Sequence, residues 1–93
     1  MAEVFRHDRE ASTYEVTIDG TPAGVADYEL TDGVADFYHT EVSPAFGGRG
    51  VAGRLVQFAM DDVRAAGEWK VRASCSYVVH WFGQHPEYAD LLA

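Results

Sequence analysis

Cysteine is almost absent from this chain of 93 residues. The one present, Cys75, excludes an internal disulfide framework and a cysteine-cluster metal site. The four histidines are scattered and form no metal-ligand constellation. Bases are scarce, seven Lys and Arg against fifteen Asp and Glu, so no basic stripe exists to displace counterions from DNA or RNA. No stretch approaches the roughly twenty apolar residues that span a bilayer. The opening Met1-Ala2-Glu3-Val4-Phe5-Arg6-His7-Asp8 carries charges where a signal peptide needs an apolar run. Internal repeats and low-complexity tracts are missing as well. The expectation is a soluble cytoplasmic protein that binds neither nucleic acid nor membrane.

What the chain does hold is enough apolar side chain for one packed core, with 47% hydrophobic residues and 13% aromatic. So short a chain cannot close a second core, and residues 1–93 are expected to form a single domain. The net charge of −8 is unevenly spread. Residues 1–42 carry ten acids against Arg6 and Arg9, whereas residues 43–93 carry five acids and five bases. The first half repels an anionic cofactor and attracts a cationic amine, while the second half tolerates an anion.

Hydrophobic periodicity divides the chain at the same place. Val4-Phe5-Arg6-His7 reads as a short first strand and Asp8-Arg9-Glu10 as a polar turn. Tyr14 to Ile18 alternates with period two, as a half-buried strand does. Asp19-Gly20 signals a tight hairpin, because both central residues of a type I′ turn need positive φ. Ala23 to Leu30 is the third strand, Asp32-Gly33 a second hairpin turn, and Val34 to Val42 the fourth strand. From Val51 the period becomes helical: Val51, Leu55, Ala59 and Val63 fall four apart, with Arg54, Gln57, Asp61 and Arg64 on the outer face. Gly67 can end that helix with a left-handed cap. Trp69 to Ser74 is a fifth strand, Tyr77 to about Gln84 a second helix stopped by Pro86, and Glu87 to Ala93 a short tail. The expected fold class is α+β: a mostly antiparallel mixed sheet, a β-meander followed by strand–loop–helix–strand–helix with one parallel crossover. Trp69, Tyr77, Trp81 and Phe82 are expected in the core or in helix packing, and His80 on the surface. His85 and Tyr88 are expected to pin the tail.

Between the fourth strand and the first helix lies Ser43-Pro44-Ala45-Phe46-Gly47-Gly48-Arg49-Gly50, rich in glycine and without period. A strand that runs through glycines into a helix makes an anion site. The first helical N–H groups lack intrahelical partners, the helix dipole favours negative charge, and missing Cβ atoms permit close approach. The segment lacks the lysine and hydroxyl that end a Walker loop, and it follows a meander rather than opening a βαβ array.

The run from Val42 to Leu55, Val42-Ser43-Pro44-Ala45-Phe46-Gly47-Gly48-Arg49-Gly50-Val51-Ala52-Gly53-Arg54-Leu55, resembles the acetyl-CoA pyrophosphate loop of the GNAT superfamily of N-acetyltransferases. Gly50 and Ala52 match the last two fixed positions of its Arg/Gln-x-x-Gly-x-Gly/Ala motif, and Phe46 and Leu55 match the flanks. Gly47 departs from it, standing where the family usually has Arg or Gln. His39-Thr40-Glu41-Val42, Cys75-Ser76-Tyr77-Val78 and His85-Pro86-Glu87-Tyr88 extend the likeness over nearly the whole chain, toward the short stand-alone branch.

The resemblance implies a truncated GNAT-like acyl-CoA N-acyltransferase fold, with acetyl-CoA as cofactor and a small-molecule or peptide amine as acceptor. It implies that strands four and five splay apart, so that pantetheine pairs with strand four at Val42. Phe46, Gly47, Gly48, Arg49, Gly50, Val51 and Ala52 would hold the pyrophosphate. It implies as well that two helices and a final hairpin, which wall the acceptor site in longer relatives, are missing, with Asp8 to Ser12 in place of the helices. An N-acetyltransferase is therefore expected beside an alternative, a module that carries or senses acetyl-CoA without turnover. Either would be a monomer or a homodimer.

Three residues are catalytic candidates. Cys75 sits where a strand gives way to a helix whose N-terminus favours thiolate, so it is either a nucleophile near the thioester or a small buried side chain. His39 and Glu41 are two apart on one strand and share a face. Either is a base for an ammonium acceptor, unless that face is merely solvated or a bulge re-aims it.

Overall fold

The computed structural model describes residues 2–93. Strands β1 (Glu3–Asp8), β2 (Thr13–Ile18), β3 (Thr21–Thr31) and β4 (Val34–Val42) form an antiparallel meander. Helix α1 (Val51–Ala66) then carries the chain to β5 (Lys70–Ala73), which pairs parallel with β4. Helix α2 (Ser76–Gln84) and a 3-10 helix (Pro86–Leu91) follow. The result is a five-stranded mixed sheet in the order β1-β2-β3-β4-β5, an α+β fold.

The two Asp-Gly hairpins adopt the backbone their residues permit. Asp19 and Gly20 have φ of 50° and 81°, and Asp32 and Gly33 have 52° and 76°, the left-handed pair that suits the twist of the flanking strands. Strands β1 to β3 run one or two residues past the alternating segments, because backbone pairing continues beyond the buried positions. Strand β5 is shorter than Trp69 to Ser74, since Ser74 already turns toward α2.

Tyr14, Val16 and Ile18 of β2, Ala26 and Tyr28 of β3, and Ala35 and Phe37 of β4 build one core with α1. The helix contributes Val51, Leu55, Val56, Ala59, Met60 and Val63, each fully buried aliphatic side chain adding roughly 1.5–3 kcal/mol. Gly67 caps α1 at φ 65°, its N–H bonded to the Val63 carbonyl. Val78, Trp81 and Phe82 of α2 join the same core, and His80 lies on the surface. With the apolar helix residues gathered on that side, Val4, Arg6, Glu29, His39 and Glu41 stay exposed on the outer face of the sheet.

The last segment is not a tail. Pro86–Leu91 coils as a 3-10 helix that buries Tyr88 and Leu91, and Leu92 bridges Val71 beside β5. Six residues opened by a proline carry too little periodicity to betray this; only the spacing of Tyr88 and Leu91, one 3-10 turn apart, hints at it. His85 and Tyr88 do pin the segment: His85 Nδ1 lies 2.8 Å from the Trp81 carbonyl, and the Tyr88 hydroxyl donates to Asp61 at 2.7 Å. Among the described residues, no helix is long and apolar enough to cross a membrane.

Candidate functional site

Strand β4 does two jobs along its length, and a bulge separates them. Tyr28 pairs with Phe37 and Asp27 with His39, so Tyr38 is an extra residue on β4. Before it, Ala35 and Phe37 face the core; after it, Thr40 and Val42 turn to that side. Without the bulge, His39 and Glu41 would follow Phe37 inward. With it they point outward together, Nε2 to Oε1 3.4 Å apart. The shared face expected from their spacing is present, and it is the outer one.

Beyond the same point the sheet opens. Pairing of β4 with β5 covers only Val34 to Phe37, after which the Ser74 and Cys75 amides both donate to the Phe37 carbonyl at 3.0 Å. From Tyr38 to Val42 the β4 backbone pairs with β3 alone. This is the splay that the sequence resemblance implied.

The glycine loop begins where β4 ends. Ser43 donates its amide to the Ala23 carbonyl at 2.7 Å, and Pro44–Phe46 makes a single 3-10 turn. Gly48 and Gly50 take φ of 77° and 72°, a backbone region where a side chain is strained. Gly50 is the N-cap of α1; it supplies no side-chain cap, and the first turn holds no acid. The leading amides of α1 are thus left for an outside acceptor, and an anion suits them. Val51 is 2% exposed, so its side chain belongs to the core and only its backbone N–H is on offer. The Arg49 guanidinium lies 5.7 Å from the Phe46 ring centre, which keeps a cation beside the glycines.

Cys75 is the N-cap of α2, at the mouth of the splay. Its Sγ lies 3.7 Å from the Thr40 hydroxyl across the gap. Burial alone would raise the thiol pKa, but the Val78 amide, the Thr40 hydroxyl and the Tyr77 amide outweigh it and bring the thiol below its ordinary range. The structure therefore joins Cys75 to Thr40 on one side of β4 and leaves His39 and Glu41 on the other.

Glu41 borders an open depression of about 340 Å³ on the sheet, edged by Glu15, Pro22, Val25 and Ser43. Glu15 faces it from β2, hydrogen-bonded to Arg6 at 2.8 Å. Among the described residues no cluster suited to a metal ion is found.

Four residues near the site were not among the site candidates read from sequence. Thr40 alternates with His39 and Glu41, so the strand period alone assigns it to the other face. Tyr77 points its hydroxyl at Gly53, 3.4 Å from where a Cβ would stand, and burial raises its pKa. Glu3 and Arg54 form an ion pair that couples β1 to the start of α1, and no local pattern announces a contact so distant along the chain.

A family model described as GCN5-related N-acetyl-transferase matches residues 13–91. Protein NATD1 of Xenopus tropicalis is 34% identical over 82 residues, which is 86% of this chain and 74% of that protein. The solution structure of a GCN5-like protein from Staphylococcus aureus aligns with TM-score 0.73 at 22% identity, covering 97% of this chain and 87% of that one. N-acetylglutamate synthase from Neisseria gonorrhoeae, complexed with coenzyme A and N-acetyl-glutamate, aligns with TM-score 0.64 at 20% identity. That alignment covers 89% of this chain and 22% of the longer one. At such identities the two structures speak for the fold.

Proposed function

Because the chain belongs to the GCN5-related N-acetyltransferase family, we propose that it binds acetyl-CoA between the Phe46–Ala52 loop and the β4 edge and passes the acetyl group to an amine. One observation carries this: across the glycine loop, an uncapped helix start follows a strand whose edge has been freed by the splay at Phe37. The loop amides from Gly48 to Ala52 and the Arg49 guanidinium would face the pyrophosphate, the Gly47 amide being spent on the Pro44 carbonyl at 3.2 Å, and the free β4 edge as far as Val42 would take pantetheine. When bound, acetyl-CoA supplies an activated acyl thioester. Glu41 or His39 would accept the proton that an ammonium must lose before it attacks. The depression beside Glu41, with two carboxylates over Pro22 and Val25, suits a cationic amine with a hydrocarbon body. Cys75 holds a thiolate-favouring position on the opposite side of the splay.

A second reading, a carrier or sensor of acetyl-CoA, draws on the exposure of the proposed bases. The side chains of His39 and Glu41 are 48% and 73% exposed, so water reaches them freely. One experiment separates the two. Melting of the protein is followed with coenzyme A and acetyl-CoA, and free thiol release is then followed across a panel of amines. A raised Tm with amine-dependent release supports the transferase. A raised Tm without release for any amine supports the carrier. No change in Tm at high ligand concentration refutes both.

A further inference from the structure

Arg54 lies in the first turns of α1, and all three of its guanidinium nitrogens are engaged around the glycine loop. Nε and Nη2 grip the two oxygens of Glu3, Nε at 2.8 Å, while Nη1 donates to the Arg49 carbonyl at 2.8 Å. Glu3 opens β1, and that end of β1 is itself fastened. The Asp19 amide bonds the Ala2 carbonyl at 2.9 Å, and the Ala2 amide bonds the Asp19 carboxylate at 2.8 Å. One side chain thus ties the last peptide of the loop to the first strand of the sheet.

The consequence follows from peptide geometry. A trans peptide directs its C=O and its N–H to opposite sides. Holding the Arg49 carbonyl toward the guanidinium makes the Gly50 N–H point away from it. Gly50 permits this arrangement at φ 72°, and a Cβ there would lie 3.1 Å from Nη1 of Arg54, which would have to give by a few tenths of an ångström.

We propose that Arg54, held by Glu3, is a positioning residue that presents the Gly50 amide to the anionic group bound at the start of α1. The inference rests on the reading of that loop as the coenzyme A pyrophosphate site. Its signature runs against simple electrostatics. The hydrogen bond from Arg54 holds the Glu3 carboxyl below its usual range, so Glu3 is an anion close to the loop. By charge alone, removing Glu3 would tighten the binding of another anion. By positioning, removing it loosens binding.

The test is calorimetric titration of the full chain with coenzyme A. Glu3→Ala and Arg54→Ala should each raise Kd roughly tenfold, and the double variant should raise it no further, because both act through one carbonyl contact. A reversed pair, Glu3→Arg with Arg54→Glu, restores the ion pair but offers no donor to the Arg49 carbonyl, and its Kd should stay high. The Gly50 amide resonance, measured without ligand, should move in Glu3→Ala while Tm changes little. Equal or tighter binding by Glu3→Ala, recovery of native affinity in the reversed pair, or an unmoved Gly50 resonance would overturn the positioning role. If the native protein fails to bind coenzyme A, the loop assignment itself falls and takes this inference with it, an outcome distinct from the other three.

Discussion

The Cys75 amide donates to the Phe37 carbonyl at 3.0 Å, and at that bond β4 and β5 part. Ser74 donates to the same oxygen, so one acceptor closes the parallel ladder and also anchors the N-cap of α2. The strand edge and the thiol are therefore fixed by a single backbone atom, which ties the geometry of one to the other.

Gly50→Glu should abolish the rise in Tm that coenzyme A produces, since it adds bulk and negative charge at the uncapped start of α1. The strain of a side chain at φ 72° should also lower Tm by several degrees, about 1 kcal/mol in a domain of this size. Differential scanning fluorimetry with and without ligand reads both effects. An undiminished ligand response would place the anion elsewhere.

Incubation with acetyl-CoA should add one acetyl group at Cys75, the sulfur taking the acyl carbon and coenzyme A leaving as its thiol. Intact mass should show the addition, and Cys75→Ala should lack it. Thr40→Val removes a hydroxyl that helps hold the thiol below its ordinary range. The pH profile of alkylation should then move upward. A native Cys75 inert to both reagents would be a packing residue.

How much of this was legible in the residues depends on the range of the interaction. The bounds of β4 and α1 follow from alternation and a four-residue period, and the hairpins from Asp-Gly pairs, all short-range effects. The shared face of His39 and Glu41 was legible too, but not which face, because the Tyr38 bulge is set by pairing with β3. Cys75 at a helix start was readable, whereas its Thr40 partner lies across the splay. The Pro86–Leu91 helix and the Glu3–Arg54 pair depend on tertiary packing that no local window contains.

Glu41→Gln should bind acetyl-CoA with native affinity and turn over an accepted amine about 10²–10⁴-fold more slowly, the usual cost of a lost general base. His39→Ala distinguishes the imidazole from the carboxylate as the proton acceptor. Full turnover in both variants across a pH series would remove the pair from the chemistry.

His7 predicts an acid-side loss of stability. Its side chain is 12% exposed, with Nδ1 3.0 Å from Asp62 and Nε2 2.7 Å from the Tyr28 hydroxyl. The ring stacks on Tyr14 at 4.0 Å. Burial lowers its pKa from 6.5 against the pull of Asp62, Arg9 adding to the fall and Asp8 opposing it. The unfolded chain therefore takes this proton more readily than the folded one. Stability should be full above pH 6.5 and decline as pH drops below it, until the folded value is reached. Asp62→Asn removes the main opposing charge and should extend the decline to lower pH. Urea unfolding from about pH 7.5 to about pH 5 measures both, the slope vanishing in His7→Phe if the assignment holds.

Leu91→Ala should destabilise the protein by about 2–5 kcal/mol, the range for truncating a buried leucine. Leu91 is 6% exposed, whereas its neighbour Leu92 is 38% exposed, so Leu92→Ala should cost much less. Equal, small losses in chemical denaturation would mean that the closing segment contributes little.

The Tyr38 bulge makes the register of β4 a property separate from its composition. Were Tyr38 absorbed into regular pairing instead, with no residue added or removed, the distal half of the strand would rotate by half a turn. His39 and Glu41 would be driven into the core, while Thr40 and Val42 would be turned to water. A one-residue slip of register, with no change in composition, would therefore disarm both sides of the splay at once.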